Sequence, residues 1–114
     1  MDEITVTNST DIVELNKGEI IEKTINPMDF GIAISKEKDL RGGSPEENAR
    51  QMIDLFNGKQ GPYRDIVILN TSASLMISNK CNNILDGLNI ARSAIDSGKC
   101  LNKLNSFIKF TNKV

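Results

Sequence analysis

Residues 40–75 contain two helices whose start and stop signals can all be located in the sequence. Ser44 and Glu47 form the S-x-x-E pattern of a capping box, in which each side chain accepts from the backbone N–H of the other residue. Pro45 suits the first helical position, where its missing N–H costs nothing, and Gly58 favours a helix end. A first helix is therefore predicted between Pro45 and Gly58. Its apolar residues recur with helical spacing and form one predicted apolar face: Ala49, Met52, Ile53 and Phe56.

The second helix begins at Gly61-Pro62 and has almost no polar face. A helix this apolar is predicted to be buried on most of its sides. Its apolar residues are Ile66, Val67, Ile68, Leu69, Ala73, Leu75, Met76 and Ile77. A run of small residues, 71–74, would let neighbouring elements approach closely, and we interpret Ser72 and Ser74 as packing residues because no catalytic base is near them in the sequence.

The remainder of the chain places strands before helices. Residues 4–25 have the composition of β structure, with a polar break at 7–10 and the second strand of a hairpin from Glu19 to Ile25. The loop Asn16-Lys17-Gly18 has the length and the glycine of a three-residue turn with a G1 bulge. Single helical turns are expected at 27–30 and within 36–41.

Two more helices are predicted after residue 80, from about Asn83 to Ser97 and from about Leu101 to Phe110, with Gly98 between them. Strands followed by helices indicate an α+β segment, in which an N-terminal β-hairpin precedes about four helices.

Composition excludes several classes of function. The 114 residues suffice for one domain or a piece of one, and 39% apolar with 25% charged residues is typical of a folded chain. A net charge of −1 and 4% aromatic residues argue against a nucleic-acid partner or an anionic membrane surface. With no histidine in the chain, mechanisms that rest on imidazole are excluded for these residues.

The cysteines and the chain start favour a reducing compartment. Cys81 and Cys100 lack the C-x-x-C spacing of a metal or redox motif, and the acidic start is unlike a signal peptide. No apolar run approaches the roughly 20 residues that a membrane span needs. We therefore expect free thiols, no membrane association and a cytoplasmic location.

Two short motifs could carry chemistry. Asp2-Glu3 could supply oxygen ligands to Mg²⁺, provided that both residues lie in a loop, because successive side chains of a strand point to opposite faces. Taken alone, such a pair is more simply an exposed acidic surface. Residues 41–44, RGGS, precede a helix and could hold a phosphate. Glu46 and Glu47 would repel an anion there, which favours a capped helix instead.

Six ordered pieces of the sequence resemble the anthranilate phosphoribosyltransferase family. They are Asp2-Glu3-Ile4-Thr5, DIVELNKGEI, Pro27-Met28-Asp29-Phe30-Gly31, LRGGSPEENA, GPYRDIVILNTSASL and Ala94-Ile95-Asp96-Ser97-Gly98-Lys99. The resemblance covers essentially the whole chain, but only the C-terminal third of that family. It implies that residues 1–114 are the C-terminal segment of the α/β catalytic domain of a glycosyltransferase-family enzyme.

The resemblance also implies an activity and one site. The family transfers phosphoribose from phosphoribosyl pyrophosphate (PRPP) to the amino group of anthranilate, the second step of tryptophan synthesis, with Mg²⁺. Its Mg²⁺-ligating acidic pair matches Asp2 and Glu3. Its glycine-rich diphosphate loop, Lys-His-Gly-Asn segment and anthranilate-contacting residues all precede the matched part, so no catalytic residue can be named within this chain.

The missing upstream part leads to three expectations. This chain should be inactive alone, should associate with itself or with the missing N-terminal part, and should belong to a homodimer in the full-length enzyme. Two alternatives remain open. One is a fragment of a related pyrimidine nucleoside phosphorylase, and the other is a non-catalytic protein-binding module derived from the family.

Overall fold

The computed structural model describes residues 2–113, and within that range a β-hairpin precedes four α-helices. The elements are β1 (Thr10–Asn16), β2 (Glu19–Ile25), α1 (Pro45–Phe56), α2 (Pro62–Ile77), α3 (Ile84–Asp96) and α4 (Lys99–Thr111). Two short 3-10 helices, Pro27–Phe30 and Glu37–Leu40, lie between the hairpin and α1. This order confirms the predicted α+β segment.

The hairpin turn is tighter than the sequence analysis predicted. Asn16 pairs directly with Glu19, so the loop has two residues rather than three. Lys17 and Gly18 both have positive φ, 50° and 85°, which is the signature of a type I′ turn. The expected G1 bulge is therefore wrong. A type I′ turn twists in the same sense as the strands that it joins, and Gly18 takes its second position without steric cost.

Residues 4–6 were expected to have β structure ahead of a polar break at 7–10. They form no strand, and β1 begins at Thr10, the last residue of the expected break. The sheet of the described chain has two strands, β1 and β2. In the segment before β1, side chains take the place of strand partners. Thr5 Oγ1 accepts from the N–H of Thr7 at 3.1 Å, and Thr10 Oγ1 accepts from the N–H of Thr5 at 3.1 Å. Such local bonds compete with sheet pairing for the same backbone groups.

Helix ends follow the chemistry predicted for them. Ser44 Oγ accepts from the Glu47 N–H at 3.2 Å, and a Glu47 carboxylate oxygen accepts from the Ser44 N–H at 2.7 Å. Asn83 caps α3 through its side-chain oxygen, which accepts from the Asp86 N–H at 2.9 Å. Gly98, with φ 79°, separates α3 from α4. The capping box and the breaks between helices are confirmed.

The core lies where α2 crosses α3. Ile68, Leu69 and Leu88 are at most 1% exposed. Ser72 faces Gly87 so closely that a Cβ at Gly87 would lie 2.5 Å from Ser72 Oγ and 2.9 Å from Ser72 Cα. Ser72 Oγ donates to the carbonyl of Ile84 at 2.6 Å. The packing role of Ser72 is confirmed.

Two predicted burial patterns are wrong. Ser74 is exposed, and its hydroxyl donates to the carbonyl of Asn70 at 3.1 Å instead of packing against a neighbour. In α1 the predicted apolar face is largely exposed, with Met52 at 40% and Ile53 at 44%, whereas Leu55 is buried at 3%. Helical spacing identified an apolar stripe, but packing of α1 against α3 and α4 selects the side that carries Leu55.

The chain exposes more surface than its mass predicts. A folded monomer of 12.6 kDa is expected to expose about 6,200 Å², whereas this chain exposes 8151 Å². The longest dimension is 46 Å. Large apolar side chains at the surface include those of Val13, Leu15, Ile20, Ile77 and Phe110. Among residues 2–113, no helix is both long and apolar enough to span a membrane.

Candidate functional site

Asp2 and Glu3 lie in a loop, as joint metal binding requires. Neither residue belongs to a strand, and both are exposed. They are therefore free of the strand geometry that would direct their side chains to opposite faces. Glu3 also lines an open groove of about 600 Å³ whose walls come from residues 5–11, the second 3-10 helix and Arg41. Glu3 of the acidic pair thus stands at the edge of a hollow in which a ligand could be held, and Asp2 directly precedes it.

The carboxylate oxygens of this pair suit hard cations such as Mg²⁺. Mg²⁺ is commonly bound by one or two carboxylates, with waters and substrate phosphates completing its octahedron. A cage of protein ligands is not formed, because residues 2–113 contain no cluster of three or more histidine, cysteine or acidic side chains placed to hold a metal. Two carboxylates beside an open groove fit a cation that is shared with a phosphate-bearing ligand.

The walls of the groove carry hydroxyl groups. Thr5, Thr7, Ser9 and Thr10 line it together with Asp11. The hydroxyls of Thr5 and Thr7 lie 2.8 Å apart and bond to each other. These side chains can exchange hydrogen bonds with a polar ligand, since each hydroxyl both donates and accepts. The sequence analysis did not identify this hydroxyl cluster.

Asn70 connects the loop of the acidic pair to α2. Its Oδ1 accepts from the backbone N–H of Ile4 at 2.9 Å, and its Nδ2 donates to the carbonyl of Ile4 at 2.8 Å. The sequence analysis did not single out Asn70. Its sequence signal is a polar amide directly after the apolar run 66–69 of a mostly buried helix. This position predicts a hydrogen-bond partner for the amide but does not identify the partner.

Residues 41–44 serve the start of α1, because two of their backbone N–H groups bond to side chains of that helix. The N–H of Gly43 donates to the side-chain oxygen of Asn48 at 2.9 Å, and the N–H of Ser44 donates to Glu47. The pKa of Glu46 is lowered by a hydrogen bond from its own backbone and by another from the Ser44 side chain, so its negative charge is favoured. The capped-helix interpretation is confirmed.

A second hollow, of about 350 Å³, lies near the start of α2 and includes the buried Arg64 in its wall. The guanidinium of Arg64, 4% exposed, meets the carboxylate of Asp96 on α3. Nη2 donates to Oδ2 at 3.0 Å, and Nη1 lies 2.9 Å from Oδ1 as an ion pair without hydrogen-bond alignment. Burial raises the pKa of the neighbouring Asp65, against the opposing charges of Arg92 and Arg64. Charged residues of α2, Arg64 and Asp65, therefore interact with charged residues of α3, Arg92 and Asp96.

The two cysteines take no part in the candidate site. Cys81 and Cys100 are free and half-buried, as the sequence analysis predicted. Neither residue lines the groove beside Glu3.

Comparisons with known proteins agree on one family. Residues 1–101 match the family model described as "Glycosyl transferase family, a/b domain". The chain is 46% identical over 112 residues to an anthranilate phosphoribosyltransferase of Acetivibrio thermocellus, covering 98% of this chain and 32% of that protein. It is 45% identical to the Methanosarcina acetivorans enzyme of the same name, covering 97% of this chain and 30% of that protein.

Solved structures show the same fold. The crystal structure of anthranilate phosphoribosyltransferase from Thermus thermophilus superposes with a TM-score of 0.86 at 29% identity, covering 96% of this chain and 32% of that one. The chain spans about a third of the length of the relatives that it matches. Because the family match extends over most of the sequence, this chain belongs to the glycosyl transferase family, a/b domain.

Proposed function

We propose that residues 1–114 are the C-terminal segment of the catalytic domain of an anthranilate phosphoribosyltransferase. The observation that carries this proposal is the similarity over 98% of the chain to an anthranilate phosphoribosyltransferase about three times as long. The complete enzyme would transfer phosphoribose from PRPP to anthranilate, releasing diphosphate, in tryptophan biosynthesis. We place it in the cytoplasm as a homodimer.

In this proposal Asp2 and Glu3 hold Mg²⁺ in the PRPP site. Support comes from their position in an exposed loop beside a groove, and from a Saccharomyces cerevisiae anthranilate phosphoribosyltransferase of the same fold whose structure is a complex with PRPP and Mg (TM-score 0.82, 23% identity, covering 99% of this chain and 32% of that one). When bound, Mg²⁺ supplies electrostatic stabilisation of a leaving diphosphate. The two carboxylates bind and orient the cation.

The remaining catalytic groups would come from upstream sequence. The chain contains no histidine, and the charged residues that line the groove with the hydroxyl cluster are Glu3, Asp11, Glu37 and Arg41. The exposed apolar side chains of the hairpin and of α1 are suited to contact that upstream part, since apolar patches of this kind mark association surfaces. We therefore expect the isolated 114 residues to show no transferase turnover.

The test is a chimaera in which this chain replaces the matching third of the Acetivibrio thermocellus enzyme. We expect the chimaera to convert PRPP and anthranilate, and the double substitution Asp2→Asn with Glu3→Gln to reduce kcat/KM by about a hundredfold or more. Metal-assisted charge stabilisation is worth several kcal/mol, and each 1.36 kcal/mol is a factor of ten in rate.

A matched control removes two exposed carboxylates of β2, through Glu19→Gln with Glu22→Gln, and should leave the rate unchanged. An unchanged rate after substitution of Asp2 and Glu3 would contradict the metal role and favour a non-catalytic module. A chimaera that folds but does not convert PRPP and anthranilate would contradict the proposal that this segment completes such a catalytic domain. Turnover by the isolated chain would contradict the need for an upstream part.

A further inference from the structure

We propose that Asn70 is a positioning residue for the metal site, because it fixes the backbone from which Asp2 and Glu3 project. This inference rests on the proposed function of the acidic pair. Asn70 itself need not touch the cation or a substrate. It acts through Ile4, the residue that directly follows Glu3, and so links the carboxylates to the helical core.

The amide of Asn70 uses its full set of polar atoms in this link. Oδ1 accepts from the Ile4 N–H at 2.9 Å, while Nδ2 donates to the Ile4 carbonyl at 2.8 Å and to the Ile66 carbonyl at 2.9 Å. An asparagine side chain offers one carbonyl oxygen and two N–H donors. Both donors and the oxygen therefore have partners, and both backbone polar groups of Ile4 are satisfied by a single side chain.

The helix that carries Asn70 is a rigid support. Ile68 and Leu69, immediately before it, are 1% and 0% exposed in the core. The bond to Ile66, one turn earlier in α2, fixes the orientation of the amide on its own helix. A side chain held at its base by buried neighbours and at its tip by three hydrogen bonds has little freedom to move, so the position of Ile4 is fixed relative to α2.

Ile4 is close enough to the carboxylates for this to matter. Consecutive Cα atoms are about 3.80 Å apart, so Asp2 and Glu3 have their Cα atoms within roughly 7.6 Å of the Ile4 Cα. On the other side of Ile4, Val6 is fully buried and its carbonyl accepts from the Ser35 N–H at 2.9 Å. Ile4 is therefore the anchored point nearest to the acidic pair, and metal ligands need support of this kind to keep their geometry.

Other residue types cannot reproduce the link. Aspartate would keep the acceptor for the Ile4 N–H, but it would lose both donors and bring negative charge against two carbonyl oxygens. Alanine would remove all three bonds and leave the backbone groups of Ile4 without these partners. The three bonds of Asn70 thus require a side chain with one acceptor and two donors. The alanine variant tests the loss of all three bonds, and the aspartate variant tests the loss of the two donors with the acceptor retained.

The experiment compares Asn70→Ala and Asn70→Asp with Ser74→Ala in the chimaera described above. Ser74 lies one turn further along α2 and bonds only to a carbonyl of its own helix, so its substitution is the matched control. The primary measurements are the Kd for Mn²⁺, by electron paramagnetic resonance with inorganic pyrophosphate present, and the hydrogen-exchange rate of the Ile4 amide. Steady-state kinetics at varied anthranilate and Mg²⁺ accompany them.

We expect Asn70→Ala to weaken Mn²⁺ binding by about tenfold or more, as loss of outer-shell support typically does, and to accelerate exchange at Ile4. The KM for anthranilate should stay unchanged, and high Mg²⁺ should restore much of the rate. Asn70→Asp should give a smaller acceleration at Ile4 because it retains the acceptor. Ser74→Ala should change neither the Kd nor the exchange rate.

Unchanged Mn²⁺ affinity in a folded Asn70→Ala variant, with the affinity lost in the Asp2→Asn, Glu3→Gln variant, would overturn this inference alone. Unchanged affinity in the Asp2 and Glu3 variant would overturn the proposed metal function instead. If Asn70→Ala does not fold, the test rests on Asn70→Asp. A Mn²⁺ affinity equal to that of the unsubstituted chimaera, despite the loss of both donors, would overturn the positioning role.

Discussion

The α2–α3 pair of this chain is closely packed, whereas one apolar face of its β-hairpin is exposed. Where α2 crosses α3, backbones approach until no Cβ fits at Gly87, and a buried arginine meets a carboxylate of the partner helix. The hairpin has a complete seven-pair register, yet Val13, Leu15 and Ile20 on one of its faces are 69–73% exposed.

The α2–α3 pair is stabilised by contacts within the chain, whereas the apolar face of the hairpin needs a further segment or partner to cover it. A two-stranded hairpin alone is at best marginally stable in water, and it needs a covered apolar face to persist. The helix pair buries Ile68, Leu69 and Leu88 between its two helices, whereas the apolar face of the hairpin has no cover within residues 2–113. The hairpin is therefore the region where the upstream part of the proposed complete enzyme would contribute most, and the helix pair is the region where a substitution should destabilise the isolated chain most.

The largest effect is expected at Gly87. Gly87→Ala would place a Cβ 2.5 Å from Ser72 Oγ and 2.9 Å from the backbone of α2, so the helices must separate. Overpacking of this kind typically lowers the free energy of unfolding by about 1–3 kcal/mol, and thermal or urea unfolding of the purified chain measures it. Asn89→Ala, on an exposed position of the same helix, is the control. Equal stability of the two variants would show that α2 and α3 are not closely packed in solution.

A second effect concerns the ion pair between the two helices. Asp96→Ala should lower the free energy of unfolding by roughly 2 kcal/mol, because it leaves the nearly buried guanidinium of Arg64 without its charged partner. The double variant Arg64→Met with Asp96→Ala should be more stable than Asp96→Ala alone, since the orphan charge is gone. Urea unfolding of both variants tests this order, and the reverse order would mean that Arg64 is solvated.

A smaller effect on stability is expected at the start of α1, which belongs neither to the α2–α3 pair nor to the hairpin. Ser44→Ala removes the acceptor for the Glu47 N–H, and loss of an N-cap typically costs about 1 kcal/mol. Ser106→Ala, whose hydroxyl bonds only within α4, should change the free energy of unfolding much less. A Ser44 variant as stable as the Ser106 variant would mean that the α1 cap forms only in the complete protein.

The smallest effect on stability is expected in the hairpin. The triple variant Val13→Thr, Leu15→Thr, Ile20→Thr should change the free energy of unfolding by no more than about 0.5 kcal/mol, as is usual at exposed positions. It should instead reduce self-association, which sedimentation velocity measures. Ile21→Thr, on the opposite face of the hairpin, is the control. A marked loss of stability in the triple variant would mean that the hairpin face packs against the rest of the chain.

Local sequence signals predicted the helices of this chain better than its packing. Pro45, Pro62 and Asn83 marked helix starts correctly because caps and first-turn residues act through backbone groups only a few residues away. The predicted buried face of α1 was wrong because the spacing of apolar residues does not identify the element that will pack against the helix. Residues 4–6 were wrongly expected to have β structure because isoleucine and valine favour strands in general, whereas here the N–H groups of Thr5 and Thr7 bond to threonine hydroxyls.

In the candidate site, too, some residues were identified from the sequence and others only from the tertiary structure. Asp2 and Glu3 came from a short motif and a family resemblance, and their metal role stays a prediction. Asn70 is 66 residues from its partner Ile4, and no local pattern connects them. The sequence by itself determined the caps, the breaks between helices and the family. Only the tertiary structure decided the burial of Leu55, the close approach at Gly87 and the link from Asn70 to Ile4, because each depends on atoms that meet through space rather than along the chain.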